Sequence, residues 1–120
     1  MGDPGFWDVL ELRVRRDGGY ELLSSFGYHS NVAGRAFIVP AGFITDLASI
    51  PRIFRWAFTG HGKSREPAVI HDWLYFIKHD RKEADAVFLE ALGYAGMGWW
   101  ARRAMWLAVR TGGWVSYNRG

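Results

Sequence analysis

Apolar positions change their spacing along the chain, and each change marks an element. From Val9, Leu10, Leu12 and Val14 alternate with Glu11, Arg13 and Arg15, the period of a half-buried strand. Asp17-Gly18-Gly19 supplies a hairpin turn, and Tyr20 to Phe26 returns as the partner strand. Gly27 to Arg35 is polar and glycine-bearing, which predicts a loop. Ala36 to Val39 reads as a short third strand stopped by Pro40, and Phe43-Ile44 resumes an extended segment after the Ala41-Gly42 turn. The period then turns helical. Ser64 and Pro67 suit the start of a helix running to Ile77, apolar on nearly every side apart from His71 and Asp72. Asp80-Arg81-Lys82-Glu83 has capping-box spacing and opens a second helix through Leu92. Only Lys78-His79 separates the two, which predicts an antiparallel helix pair. A third helix spans about Gly98 to Arg110, ended by Gly112-Gly113, and Trp114 to Tyr117 could add an edge strand. The pattern predicts an α+β fold. A small N-terminal antiparallel sheet of about three or four strands precedes a helix hairpin and a C-terminal basic-aromatic helix.

At 120 residues, 49% of them hydrophobic and 17% aromatic, the chain has material for a single domain over 1–120 with a real core. A net charge of +3 permits an anionic partner without demanding one. The absence of cysteine excludes a disulfide framework and thiolate metal sites. No apolar run reaches the roughly 18 residues of a membrane span, and the N-terminus lacks a signal pattern, so a soluble cytoplasmic location is expected.

The candidate chemistry lies in the helix hairpin. His71, Asp72 and Tyr75 are spaced to share a helix face. A buried imidazole and carboxylate are costly unless they are paired or bind a cation. On the second helix Asp85 stands one turn before Phe88, Leu89 and Leu92, so its carboxylate aims at the apolar side while Lys82, Glu83 and Glu90 face out. If Asp85 accepts from one imidazole nitrogen of His71, the tautomer is fixed and the other nitrogen is free as a base. The same groups also suit a hydrogen-bonded clasp between helices without catalysis. Asp46 is either a helix cap with Ser49 or a residue of the cleft. The loop Gly60-His61-Gly62 before the helix is a weak ion-binding signal.

On the third helix Trp99, Arg102, Arg103, Trp106 and Arg110 fall along one stripe, opposite Ala101, Ala104, Met105 and Ala108. Arginine mixed with tryptophan suits a lipid headgroup layer. It also suits nucleic acid, the weaker expectation. Tryptophans covering the sheet beside solvated arginines would give the same pattern.

Two stretches carry a resemblance. The run Pro40-Ala41-Gly42-Phe43-Ile44-Thr45-Asp46-Leu47-Ala48-Ser49-Ile50-Pro51-Arg52 and the later His71-Asp72-Trp73-Leu74-Tyr75 resemble an uncharacterised family of tailed phages and prophages. Ala84, Asp85 and Phe88 continue the likeness, which covers about residues 37–113. It implies an accessory phage protein, with other phage proteins as partners, in the host cytoplasm or the particle. The core His71-Asp72-x-x-Tyr75 with Ala84-Asp85-x-x-Phe88 is also similar to the phospholipase A₂ superfamily, notably the parvovirus capsid domains. That likeness implies a calcium-dependent ester hydrolase acting on lipid. His71 would be the base, Asp72 the calcium ligand, and Asp85 with Tyr75 the orienting pair. Asp46 would be a further metal ligand. The superfamily's tyrosine-glycine-x-glycine calcium loop is absent from its usual place, and a leading antiparallel sheet is foreign to it.

Overall fold

The first third of the chain folds into two antiparallel sheets rather than the single expected one. The structure is a computed structural model and describes residues 5–45, 65–112 and 118. One sheet joins β1 (Gly5–Phe6), β4 (Phe26–Ser30) and β5 (Arg35–Val39) in the order β1-β4-β5. The other joins β2 (Leu12–Val14), β3 (Tyr20–Leu22) and β6 (Ile44–Thr45) in the order β2-β3-β6. The β2–β3 hairpin turns where its sequence requires. The Asp17 carboxylate accepts from the Gly19 amide at 3.0 Å, and the Arg15 amide donates to the Gly19 carbonyl at 2.8 Å.

The expected continuous strand from Tyr20 to Phe26 is broken after Leu22, and the expected loop from Gly27 to Arg35 is largely strand. Phe26 pairs with Val39 and Ser30 with Arg35, leaving only residues 31–34 as the turn. Gly27 belongs in this strand for want of room. A Cβ there would meet Ile38 at 3.1 Å, and the Asp8 carboxylate and Trp7 ring each at 3.3 Å. The Asp8 carboxylate accepts from the Gly27 amide at 3.0 Å.

Three helices follow among the described residues: α1 (Arg65–Phe76), α2 (Arg81–Tyr94) and α3 (Trp99–Gly112). The Ser64 cap, the Asp46 and Ser49 helix cap, the Gly60-His61-Gly62 loop and the edge strand at Trp114–Tyr117 lie outside the described residues. Helix α1 buries Pro67 to His71 with Leu74 and Tyr75, but its end is not enclosed: Phe76 and Ile77 are exposed. It closes in a Schellman turn. The His79 amide reaches back to the Leu74 carbonyl at 2.9 Å and that of Lys78 to Tyr75 at 3.1 Å. Lys78 takes the left-handed position there, with φ of 60°. Asp80 then caps α2, accepting from the Glu83 amide at 3.0 Å. Glu83 does not complete the reciprocal box; its carboxylate meets His79 Nε2 at 2.6 Å instead.

The α1–α2 pair is the middle layer. On one side Val69, Ile70, Leu74, Val87 and Ala91 pack with the strand residues Leu22, Phe26, Tyr28, Phe37 and Val39. On the other, Ala68, Phe88 and Leu92 meet Met97, Met105 and Val109. Each fully buried Leu, Ile, Val or Phe of this core contributes about 1.5–3 kcal/mol. Helix α3 turns differently from the expected stripe. Its buried residues are Met105 and Val109, whereas Ala101 and Ala104 are exposed. That rotation carries Arg110 inward and leaves Trp100 and Leu107 at the surface.

Candidate functional site

The middle layer encloses a chain of polar side chains. His71 lies halfway along α1, and Asp85 lies in the second turn of α2. The tight Lys78-His79 bend sets them opposite each other. His71 Nε2 and Asp85 Oδ1 are 2.7 Å apart, and neither side chain is exposed to solvent. Tyr75, one turn beyond His71, donates its hydroxyl to the same Oδ1 at 2.5 Å. The Tyr75 and Phe88 rings flank the imidazole, with centroids 4.1 and 4.7 Å away. Arg110 reaches in from the last turn of α3 and donates to Asp85 Oδ2 at 2.8 Å. Thus one carboxylate on α2 collects two donors from α1 and one from α3.

The electrostatics follow from that sharing. Burial alone would raise the Asp85 carboxyl, but hydrogen bonds from His71, Tyr75 and Arg110 outweigh it and hold the group below the usual aspartate value. Burial, reinforced by the bond to Asp85, raises the Tyr75 phenol, which therefore stays a donor. An ionised Asp85 accepts from Nε2–H of His71 and so selects the tautomer whose Nδ1 carries a lone pair. That Nδ1 is buried and has no hydrogen-bond partner among the described residues. An oriented imidazole with one nitrogen uncommitted meets the orientation that a general base requires.

Of the two expected metal ligands, Asp72 is among the described residues. Asp72 is half-buried and accepts a hydrogen bond from the Thr45 hydroxyl, so β6 meets α1 here. Asp46, next in the chain, lies outside the described residues. Among the described residues no group of three or more histidine or acidic side chains is placed to hold a metal ion. Asp72 and Thr45 offer two side chains where calcium takes about six to eight oxygens.

The basic-aromatic stripe does not act as one unit. Arg110 is a half-buried ion-pair partner of Asp85, where the outer anion-binding face was its expected place. A buried carboxylate serving His71 and Tyr75 through one oxygen still needs a donor for the other. That requirement was the signal for a cation from elsewhere in the chain. Trp99 and Arg103 stay exposed, with the guanidinium 5.4 Å from the indole centroid, while Arg102 and Trp106 are half-buried.

Glu90, expected to face solvent, is a second clasp. Its Oε1 accepts from the Tyr28 hydroxyl at 2.7 Å and the Ser30 hydroxyl at 2.8 Å. Its Oε2 accepts from the amides of Asn31 and Val32 at 3.1 and 3.0 Å. Helix α2 therefore holds the β4–β5 turn with one carboxylate and the imidazole with another.

No helix among the described residues is long and apolar enough to cross a membrane. Neither a curated protein nor a solved structure matches the chain. A family model described as "Protein of unknown function (DUF1353)" matches residues 20–109, from the start of β3 to Val109, and takes in His71, Tyr75 and Asp85. With that match over most of its length, the chain belongs to the DUF1353 family.

Proposed function

We propose that the chain is an ester hydrolase of the phospholipase A₂ type, serving a phage or prophage as an accessory protein. The observation that supports it is the buried, unpartnered Nδ1 of His71 behind an imidazole fixed by Asp85. An unsatisfied buried polar atom costs about 1–3 kcal/mol, and a bound water or substrate at Nδ1 would recover it. In the reaction Nδ1 takes a proton from water as the water oxygen bonds to the ester carbonyl carbon. Asp85 balances the imidazolium, and Tyr75 and Arg110 keep the carboxylate in place. Collapse of the tetrahedral oxyanion breaks the bond to the alcohol oxygen, and the proton on Nδ1 passes to that leaving group. The products are a carboxylic acid and an alcohol.

Calcium, when bound, supplies Lewis-acid stabilisation of the oxyanion. Asp72 would be its carboxylate ligand, with Asp46 and water as candidates for the remainder of the shell. The lipid and phage-particle setting rests on the sequence motifs, as does the host-cytoplasm or particle location. Hydrolysis of phospholipid and of p-nitrophenyl esters, with calcium, with zinc and with chelator, tests the reading. Wild type should turn over and His71→Gln should lose about 10²-fold or more while keeping its fold by circular dichroism. Equal turnover in the two proteins, or none in either with every ion, removes the proposal.

A second reading has its own support in the complete burial of both His71 and Asp85 side chains. It makes the chain a non-enzymatic virion or interaction protein held together by the cluster. His71→Gln then lowers only the melting temperature and leaves partner capture intact. Nucleic-acid binding through α3 is a weaker alternative, and a flat salt titration of DNA or RNA affinity dismisses it.

A further inference from the structure

A groove of about 550 Å³ runs on the far side of α2 from His71, between α2, the start of α3 and the β4–β5 turn. Ala86, Leu89 and Tyr94 from α2, with Val32 from the turn, supply apolar surface. Arg102 and Arg103 stand on its α3 wall. Neither arginine makes an ion pair or a side-chain hydrogen bond among the described residues, although Arg103 lies over Trp99. Glu90 also lines the groove, but both its oxygens are taken by the four donors from β4 and the turn.

The backbone adds to the positive character. The first turn of α3 contains no acidic residue, and the residue before it, Gly98, has no side chain to cap the opening amides. Arginines beside a helix N-terminus add to its positive end, and an anion bound there would answer both. Arg102 also packs close to α2. Its terminal nitrogen lies against α2 at Gly93, 2.5 Å from where a Cβ would stand, although the end of so flexible a side chain could shift to make room.

We propose that this groove binds a small amphiphilic anion. A carboxylate or phosphate head meets the forks of Arg102 and Arg103, and an alkyl body lies over Ala86, Leu89 and Val32. Guanidinium suits both heads through paired N–H donors, and the groove is within the about 300–1,000 Å³ usual for small-ligand sites. The site is independent of the proposed hydrolysis.

Calorimetric titration of the full chain tests it, with decanoate and decyl phosphate below their micellar concentrations. Octyl glucoside serves as a neutral amphiphile and inorganic phosphate as a bare anion. One-to-one binding of at least one alkyl anion is expected, and whether decanoate or decyl phosphate binds better identifies the head. Both controls should bind about tenfold or more weakly. The double variant Arg102→Gln/Arg103→Gln should lose about tenfold or more at unchanged melting temperature. In wild type the Nε–H signals of these two arginines should shift on saturation, a readout that needs no variant. His71→Gln should bind as wild type does, so a failed hydrolysis assay and a failed groove are separate results. Absence of saturable binding by both alkyl anions overturns the proposal. So does equal binding of octyl glucoside or inorganic phosphate, or stationary arginine signals at saturation.

Discussion

Helix α2 carries two sheltered carboxylates, and their surroundings differ in kind. Asp85 and Glu90 each accept a tyrosine hydroxyl, from Tyr75 at 2.5 Å and from Tyr28 at 2.7 Å. Beyond that shared bond they part. Glu90 takes Ser30 and two backbone amides, so every donor around it belongs to one strand end and its turn. Asp85 takes an imidazole and a guanidinium from two different helices. The first set fixes a backbone conformation, and leaves nothing over. The second fixes the orientation of a titratable ring, and leaves Nδ1 over. Two acids on one helix therefore need not share one purpose; the donors distinguish them.

The comparison breaks most visibly at Asp85. Asp85→Asn removes the charge that Arg110 answers and leaves one amide oxygen where His71, Tyr75 and Arg110 share two, and should cost about 3 kcal/mol in urea unfolding. On the proposed chemistry it also abolishes hydrolysis. Glu90→Gln keeps one good acceptor and loses the charge, so about 2 kcal/mol is expected. Hydrolysis should be untouched in that variant, judged by unchanged kcat and KM. If Glu90→Gln harmed turnover while Asp85→Asn spared it, the assignment of roles would be reversed. Removing one hydroxyl on each side is gentler. Tyr75→Phe and Tyr28→Phe should each cost about 1 kcal/mol, and only the former should alter the pH profile of turnover.

The smallest effect lies in the acid limb of stability. Folded Asp85 titrates below the ordinary aspartate value of 3.8, since donated hydrogen bonds outweigh the burial that would raise it. Between those two values the unfolded chain binds the extra proton. The contribution is therefore complete above 3.8 and is lost as pH falls below it toward the folded value. Melting temperatures measured downward through this window should fall less steeply in Asp85→Asn than in wild type. Both tyrosines have the opposite sign. Burial raises their phenols, so stability holds up to the ordinary value of 10.0 and declines as pH rises beyond it.

Local patterning made the helix hairpin legible. The Asp80 cap, the short Lys78-His79 connector and the inward carboxylate of Asp85 each sit within a few residues of the signal that reveals them. Strand β4 was not legible, because Gly27, His29 and Ser30 interrupt any alternation of apolar residues. What makes Ser30 tolerable inside is Glu90, 60 residues away, and no local period records a bond of that span. Arg110 was misplaced for a related reason. Its spacing fits the outer stripe, and only the demand of Asp85, 25 residues earlier, draws it inward.

Arg81, at the start of α2, donates to the carbonyls of Val109 and Arg110 at 2.8 and 2.6 Å, while Arg110 sends its own guanidinium back to Asp85. Two latches thus cross between the same pair of antiparallel helices in opposite directions, beside the buried Met105 and Val109. A protease nick within the connector at residues 95–98 should consequently leave the final segment clinging to the body through gel filtration under native conditions.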